Sequence, residues 1–304
     1  MLLMTGATGL VGSSLLRRLL GEGTQVRCLV RDPRRLGTQR VRVQIALGDL
    51  TDPPSFRNAL RGVDTVVHLA AAIRDQPGGS IEELDGVATW RMVEAAERQG
   101  VERFVFFSAL GASTHHRTRM LRAKALAEQA VVEADLHSVV FAPSIVYAPG
   151  DAWLTLLERL ALLPVMPVSG RGEARFQPIW AEDVADCVVA SLGDGDGAGA
   201  DGAAVNGSNH RRYELAGPET LSHSDIVRAV LRSLGRNRPL VHVPTPIVSR
   251  ALRALEAAAG ERAFATWDEA ELMEVSMVSA RGSADVQALG VAPQRMQAVL
   301  DAAA

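Results

Sequence analysis

Three glycines near the start of the chain have the spacing of a phosphate-binding loop. Gly6, Gly9 and Gly12 follow a short apolar run, residues 2–5, and open a segment whose apolar residues recur with helical spacing. In this position Gly6 permits a tight turn, Gly9 lets the backbone approach a pyrophosphate, and Gly12 allows the helix to pack closely on the strand. The phosphates would lie at the N-terminus of the helix, where free N–H groups and the positive end of the dipole point at them. The loop therefore predicts a dinucleotide site, and a tight turn without a ligand is the alternative.

The end of the second apolar run, residues 25–30, bears on the choice of nucleotide. Arg31, Arg34 and Arg35 surround Asp32 at this point. A guanidinium group forms bidentate, charge-assisted bonds with a 2′-phosphate, whereas a carboxylate bonds the ribose hydroxyls. The three arginines predict a preference for NADP(H). Asp32 keeps NAD(H) open, and a solvated basic turn is the interpretation without a ligand.

An aspartate follows the third apolar run, residues 43–47. Asp49 stands between Gly48 and Leu50. Its carboxylate could accept a hydrogen bond from the adenine amino group, or it could cap the following turn. Both interpretations stay open at this stage.

Lysine occurs once among the 32 lysine and arginine residues of the chain, as Lys124. Because arginine is used at every other basic position, Lys124 is a candidate for a site that needs a compact ammonium group with rotatable donors. Chance is the alternative, since some position must hold the last lysine.

Composition excludes several other functions. The 304 residues carry a net charge of −3, which gives no global electrostatic reason to bind nucleic acid or an anionic membrane. Cys28 and Cys187 form neither a metal-ligand cluster nor a disulfide framework, so we expect no metal site and a reducing compartment. No apolar run approaches the ~20 residues of a membrane span, and the first residues resemble no cleavable leader. We expect a cytoplasmic protein without a membrane span.

Short apolar runs alternate with amphipathic stretches over residues 1–150, a pattern typical of an α/β fold with a doubly wound parallel sheet of the Rossmann type. We predict an NAD(P)-binding Rossmann domain over residues 1–150 and a smaller C-terminal α/β substrate or lid lobe over residues 151–304. The Gly- and Asp-rich residues 193–209 predict a mobile surface loop. The strands are expected at residues 2–5, 25–30, 43–47, 65–69, 103–107 and 137–142, and the first helices at 10–20, 87–99 and 121–134. In the second half of the chain we expect, among other elements, a strand at 175–180 and a helix at 247–259.

Several short motifs resemble a known family. They are TGATGLVG at residues 5–12, GDL at 48–50, HLAA at 68–71, FFSALGA at 106–112 and APSIVYAPGD at 142–151. Together they resemble the extended or atypical short-chain dehydrogenase/reductases. FVFFSALGA and QPIWAEDVAD make the chain most similar to the atypical branch that includes the nucleotide-binding accessory subunit of respiratory complex I, with the NmrA-like NADPH-binding proteins as relatives.

This resemblance implies a catalytic pair, Tyr-x-x-x-Lys, on the helix after the fifth strand, with a serine at the end of that strand. Lys124 and Ser108 match these positions, but Met120 stands where the family has its tyrosine. In the family the tyrosine exchanges a proton with the substrate, while the lysine lowers the tyrosine pKa and holds the nicotinamide ribose. Candidates for a substitute proton donor are Ser108, His115, His116 and Tyr147.

Two functions of different classes follow from these features. The first is an NADP(H)-dependent oxidoreductase acting on a small apolar carbonyl or quinone-like substrate. The second is a catalytically silent NADP(H)-binding sensor or accessory subunit, and an NAD-dependent epimerase or dehydratase comes third because that chemistry depends on the missing tyrosine. The expected partners are the dinucleotide and a small-molecule substrate, while a protein partner and a homo-oligomer both stay open. The residues expected to bind the dinucleotide are Gly6, Thr8, Gly9, Leu10, Val11, Gly12, Arg31, Arg34, Asp49, Leu50, Ala70, Ala71, Lys124, Pro143 and Ile145.

Overall fold

One large sheet organises the computed structural model, which describes residues 1–73, 75–76, 78–193, 203–204, 209–250, 252 and 267–303. Its strands are β1 (Leu2–Thr5), β2 (Val26–Val30), β3 (Gln44–Leu47), β4 (Thr65–His68), β5 (Arg103–Phe107), β6 (His137–Pro143), β11 (Ala203–Ala204) and β12 (His210–Leu215). They lie in the spatial order β11-β12-β6-β5-β4-β1-β2-β3. Neighbours pair in parallel except β11 with β12. The predicted fold class, a doubly wound Rossmann-type sheet, is confirmed.

Helices cover both faces of this sheet, as parallel strands with apolar side chains on both faces require. On one face, α1 (Leu10–Gly21) packs against α6 (Ala181–Gly193). On the other face lie α3 (Ala88–Arg98) and α4 (Arg119–Glu133). The remaining helices are α2 (Pro53–Phe56), α5 (Ala152–Leu160), α7 (His223–Ser233), residues 245–250, Trp267–Leu272, Ala284–Ala288 and Met296–Ala303.

Three short two-stranded pairs lie outside the large sheet, and we call the part of the molecule that they and their packed helices form the smaller lobe. β7 (Val146–Tyr147) pairs with β10 (Ile179–Trp180), β8 (Met166–Ser169) with β14 (Leu240–Val243), and β9 (Arg175–Phe176) with β13 (Leu221–Ser222). The sequence predicts one strand over residues 175–180, but the structure has two. Pro178 separates them, since a proline nitrogen donates no hydrogen bond to a strand ladder.

Three helical segments depart from the α-helical pattern. Pro33–Val41 and Arg57–Leu60 are 3₁₀ helices. Glu82–Val87 is a π-helical stretch that leads directly into α3. The π-helical stretch has one consequence for the site, because it buries the Asp85 side chain below the carboxyl end of the sheet.

The second half of the chain contributes to the large sheet as well as to the smaller lobe. β12 runs parallel to β6, and the Tyr213 ring stacks on the Phe141 ring with 5.6 Å between centroids. The division at residue 150 therefore stays a prediction about the chain, while the sheet includes strands from both sides of it. The loop predicted over residues 193–209 lies mostly outside the described residues, apart from β11 and the residues at its ends. A helix predicted over residues 247–259 is helical where it is described and otherwise lies outside those residues.

Candidate functional site: the carboxyl edge of the sheet

The glycine segment forms a loop made almost entirely of backbone, between β1 and α1. Gly6 has φ of +69°, and a Cβ on it would lie 2.6 Å from the backbone nitrogen of Ala70. A Cβ on Gly12 would lie 2.0 Å from the Gly6 carbonyl oxygen, so α1 can approach the loop only because Gly12 has no side chain. We call residues 6–12 the nucleotide loop.

The start of α1 suits an anion. Gly9 is its N-cap in an extended conformation, no side chain caps the first turn, and that turn contains no acidic residue. The first N–H groups of the helix therefore remain available to a phosphate, in the positive field of the helix end. Gly9 and Leu10 are exposed, Thr8 and Val11 are half-buried, and Ala7 is buried beneath them.

A buried histidine holds the adjoining loop after β4. His68 Nδ1 lies 3.0 Å from the Thr5 hydroxyl, and His68 Nε2 lies 3.1 Å from the Thr89 hydroxyl. The Thr5 hydroxyl in turn accepts a hydrogen bond of 3.2 Å from the Ala70 N–H. Burial, and secondarily the charge of Lys124, lower the pKa of His68 to about 3, so the ring is neutral. His68 thus fixes residues 69–71 beside the nucleotide loop, a role that its place in the HLAA motif did not reveal.

The basic turn after β2 divides its arginines between two environments. Asp32 caps the following 3₁₀ helix and binds the Arg34 side chain at 3.0 Å. Its hydrogen bonds with Arg34 lower the pKa of this carboxyl. Arg31 is exposed and reaches across to Gln76, with its guanidinium 3.3 Å from the Gln76 side-chain oxygen. The Asp32 carboxylate is therefore occupied by its own turn, whereas Arg31 faces the loop after β4.

Asp49 follows the second of its two interpretations, the turn cap. One carboxylate oxygen accepts hydrogen bonds from the Thr51 N–H at 2.9 Å and the Thr51 hydroxyl at 2.8 Å. The Asp49 N–H itself donates to the Ser55 hydroxyl. Leu50 is half-buried beside it. A contact of either residue with adenine stays a prediction.

Lys124 lies on α4 under the ends of β4 and β5. Its ammonium group donates to the Phe107 carbonyl at 3.0 Å, lies 5.3 Å from the centre of the Phe106 ring, and lies 3.7 Å from the Asp85 carboxylate. Both charged side chains are almost completely buried. We call Lys124, Asp85, Phe106 and Phe107 the Lys124 cluster. Sequence reasoning found the lysine but missed Asp85, because an Asp-Gly pair in a polar segment has no periodicity that marks it as buried.

Ser108 ends β5 where the sequence places it, but its hydroxyl has another partner. It donates to the Glu128 carboxylate, which also binds Arg212 at 2.8 Å. Arg212 reaches Glu214 at 2.9 Å, and Glu214 accepts from the Ser279 hydroxyl. Ser108 is therefore part of a polar network that joins α4 and β12 to the C-terminal segment, and its role in proton transfer stays a prediction.

Met120 packs against an apolar core. It lies in the first turn of α4, one turn before Lys124, and Ile145, Trp153 and Trp180 pack against the same core of the smaller lobe. Pro143 is buried at the end of β6, and its carbonyl accepts the Leu110 N–H at 2.9 Å. A contact of Pro143 or Ile145 with the cofactor stays a prediction.

Two of the other three candidate proton donors, Tyr147 and His115, occupy contrasting places. Tyr147 is completely buried in the same apolar core, and burial raises the pKa of its phenol. Its hydroxyl has no hydrogen-bond partner among the described residues. His115 is exposed in the loop before α4 and lies 3.1 Å from the Thr114 hydroxyl. Neither side chain makes a contact with Lys124 in the described part of the chain.

A polar cavity of about 560 Å³ opens next to the loop before α4. Its charged and hydroxyl-bearing lining comprises Arg117, Thr245, Ser249, Arg250, Glu271 and Glu274. The lining of this cavity is therefore largely charged, whereas the side chains that pack on the same core as Met120 are apolar.

A family model described as NAD(P)H-binding matches residues 6–195, which includes the nucleotide loop and the Lys124 cluster. The chain belongs to this NAD(P)H-binding family. The resemblance to the atypical short-chain dehydrogenase/reductases is thereby confirmed together with dinucleotide binding as the family property.

Relatives of this family member include both an enzyme and a subunit of a larger assembly. The chain is 28% identical to the mitochondrial NADH dehydrogenase [ubiquinone] 1 alpha subcomplex subunit 9 of Arabidopsis thaliana, over 80% of this chain and 60% of that protein. It is 31% identical to the ceramide reductase of Caulobacter vibrioides, over 62% of this chain and 59% of that protein. In both cases the match spans less than two thirds of the relative.

A solved structure shares the fold over almost the whole chain. A nucleoside-diphosphate-sugar epimerase from Staphylococcus aureus superimposes with a TM-score of 0.78 at 16% identity, covering 99% of each chain. At this identity the likeness concerns the fold. Within the described ranges, every helix is too short or too polar to cross a bilayer.

Proposed function

We propose that the protein is an NADP(H)-dependent oxidoreductase that reduces a small, largely apolar carbonyl or quinone. The observation that carries this proposal is the position of Lys124. Its ammonium group lies at the carboxyl ends of β4 and β5, and β4 is the direct neighbour of β1, from which the nucleotide loop emerges. In open α/β sheets this edge is where ligands bind. A dinucleotide that begins at the nucleotide loop would therefore end near Lys124.

The residues of the edge fit a dinucleotide phosphate. A cradle that a Cβ would fill at Gly6 and Gly12, together with the uncapped first turn of α1, suits the pyrophosphate. Arg31 suits the 2′-phosphate, and the occupied carboxylate of Asp32 is a poor acceptor for a ribose hydroxyl. Lys124 would lie beside the nicotinamide end of the cofactor. When bound, the reduced cofactor supplies a hydride, and the chain must supply orientation and a proton.

The substrate class is inferred from the side chains beside Met120. Met120, Ile145, Trp153 and Trp180 are half-buried apolar side chains on one core, and such side chains suit a quinone or an aliphatic or aromatic carbonyl. The reductase among the relatives supports the reaction class.

A second function, a catalytically silent NADP(H)-binding subunit, is favoured by two observations. Met120 has no titratable proton where the resemblance expects a tyrosine. Trp90 on α3 and Leu126 on α4 are 49% and 51% exposed, which gives the molecule apolar surface for a protein partner. The complex I subunit among the relatives supports this alternative.

An equilibrium titration with NADPH and with NADH, followed by a panel of quinones and aldehydes in the same cuvette, separates these functions. Preferential NADPH binding with oxidation on substrate addition supports the reductase. Binding without oxidation supports the silent subunit. If neither nucleotide binds, both proposals are wrong.

A further inference from the structure

The Asp85 carboxylate has one satisfied oxygen and one unsatisfied oxygen, although it is almost completely buried. Oδ1 accepts the Ala72 N–H at 2.8 Å. Oδ2 has no hydrogen-bond partner among the described residues and lies 3.7 Å from the Lys124 ammonium. A buried polar atom without a partner costs free energy, so such an atom in a binding edge calls for an explanation.

Asp85 is also the counter-charge that a buried ammonium needs. Burial raises the pKa of the Asp85 carboxyl, whereas the charge of Lys124 lowers it and so favours the ionised pair. The other titratable groups near Lys124 do not offer a counter-charge, because burial keeps His68 neutral and Glu128 binds Ser108 and Arg212. The Phe107 carbonyl and the Phe106 ring stabilise the ammonium without charge. Without Asp85, the burial of Lys124 would favour its neutral form.

The donor count of Lys124 leaves room for a ligand. An ammonium group has three N–H donors. The Phe107 carbonyl accepts one, and Asp85 Oδ2 needs only a small approach to accept a second. One donor is left for a group bound at the sheet edge.

We propose, on the basis of the proposed reductase function, that Asp85 is a positioning residue that keeps Lys124 protonated, and that the Lys124 ammonium donates the proton that a tyrosine would otherwise supply. Asp85 also links Lys124 to the loop after β4 through its bond with Ala72, so the charge and the loop are positioned together.

The proposed step is balanced in atoms and electrons. When bound, the reduced cofactor would supply a hydride, that is, a proton with an electron pair, to the carbonyl carbon. The C=O π pair moves to the oxygen, a Lys124 N–H bond breaks, and an O–H bond forms. This leaves Lys124 as a neutral amine beside the Asp85 carboxylate. The amine then takes a proton from water, hydroxide passes to the solvent, and the ammonium is restored. With a carbonyl substrate, the developing alkoxide is a much stronger base than an amine, so the transfer is downhill.

The single lysine makes this proposal directly measurable. Protein grown with isotope-labelled lysine gives one side-chain NMR signal, from Lys124, whose pH titration reports its protonation. We expect Asp85→Asn to lower the midpoint of this titration by roughly one pH unit or more, since the ammonium loses its counter-charge in a buried place. Asn keeps an acceptor for the Ala72 N–H, and Asp85→Ser serves if the amide variant does not fold.

Glu83→Gln is the matched control, because Glu83 is an exposed acid on the same π-helical stretch. It should leave the midpoint unchanged. An unchanged midpoint in Asp85→Asn overturns the role of Asp85, whatever the turnover. If the substrate panel is reduced, the pH at which the rate falls should move down with the NMR midpoint in Asp85→Asn, and a rate profile that does not move overturns proton donation by Lys124. If the wild-type protein binds NADPH but reduces nothing, the proposed function and proton donation both fail, while the titration still decides whether Asp85 holds the charge.

Discussion

The nucleotide loop and the Lys124 cluster lie at the same edge of the sheet but are built from different parts of the chain. The loop consists of backbone: its shape depends on what Gly6 and Gly12 lack. The cluster consists of side chains from α4, the π-helical stretch and β5, held by one buried ion pair and one carbonyl. A backbone site tolerates little change and keeps a recognisable sequence, whereas a side-chain site can exchange one polar group for another. Met120 belongs to the side-chain site, where one residue type can replace another.

Blocking the loop should have the largest effect. We expect Gly9→Val to weaken NADPH binding by about 100-fold or more, because a Cβ there already lies 3.2 Å from the Gly6 carbonyl and the valine methyls would cover the anion site. Calorimetric titration measures the affinity. Gly21→Val, at the open C-terminal end of the same helix, is the control. Equal affinities for the Gly9→Val variant and the wild type would move the pyrophosphate away from this loop.

Placing a tyrosine at position 120 should have the next largest effect, this time on the rate of reduction. We expect Met120→Tyr to raise the rate of carbonyl or quinone reduction at least about tenfold, since the hydroxyl would lie one helical turn from Lys124. Steady-state rates at saturating NADPH measure this. Met120→Phe adds the ring without the hydroxyl, and an equal gain with Phe would attribute the effect to packing.

The choice of nucleotide should depend on one arginine more than on its neighbours. We expect Arg31→Ala to reduce the preference for NADPH over NADH by about tenfold, because one charge-assisted contact with the 2′-phosphate is lost. Parallel titrations with both nucleotides give the ratio. Arg40 is exposed near the end of the 3₁₀ helix that follows Arg31, and Arg40→Ala should leave the preference for NADPH unchanged. A preference that survives Arg31→Ala would contradict the phosphate assignment.

The smallest expected effect is on stability, and it comes from His68, which holds the loop after β4. Because the pKa of His68 is lowered from 6.5 to about 3 on folding, the unfolded chain binds a proton between these pH values and the folded chain does not. The contribution of His68 to the free energy of unfolding is therefore fully present above pH 6.5 and is lost as the pH falls toward 3. Between pH 7.5 and 5.5 we expect His68 to account for a loss of about 1 kcal/mol.

Urea unfolding at both pH values measures this loss. His68→Gln should lose less free energy of unfolding than the wild type over the same interval, since glutamine does not titrate. His137→Gln removes an exposed histidine and should follow the wild type. Identical pH dependence in wild type and His68→Gln would show that the buried ring is not the titrating group.

The difference between backbone-built and side-chain-built parts also explains which features the sequence could predict. β1 and β5 were predicted with their observed limits, since buried parallel strands are short apolar runs bounded by polar turns. Asp85 could not be predicted, because its burial depends on a π-helical stretch whose extra residue per turn has no signature in the hydrophobic pattern. The hydrogen-bond partner of Ser108 could not be predicted from the sequence either. Glu128 and Arg212 come from distant parts of the chain and meet Ser108 only once β12 has joined the sheet.

The return of the chain from the smaller lobe to the large sheet also affects how the molecule can be divided. β12 covers the edge of β6 with a continuous parallel register from Ser138 to Pro143. A fragment that ended at residue 150 would present that edge as an open row of backbone donors and acceptors, with Phe141 deprived of the Tyr213 ring. Such an edge is a template for intermolecular strand pairing and aggregation. The first 150 residues thus depend on the later part of the chain to cover this sheet edge, and the protein should be engineered, permuted or truncated only with β12 retained.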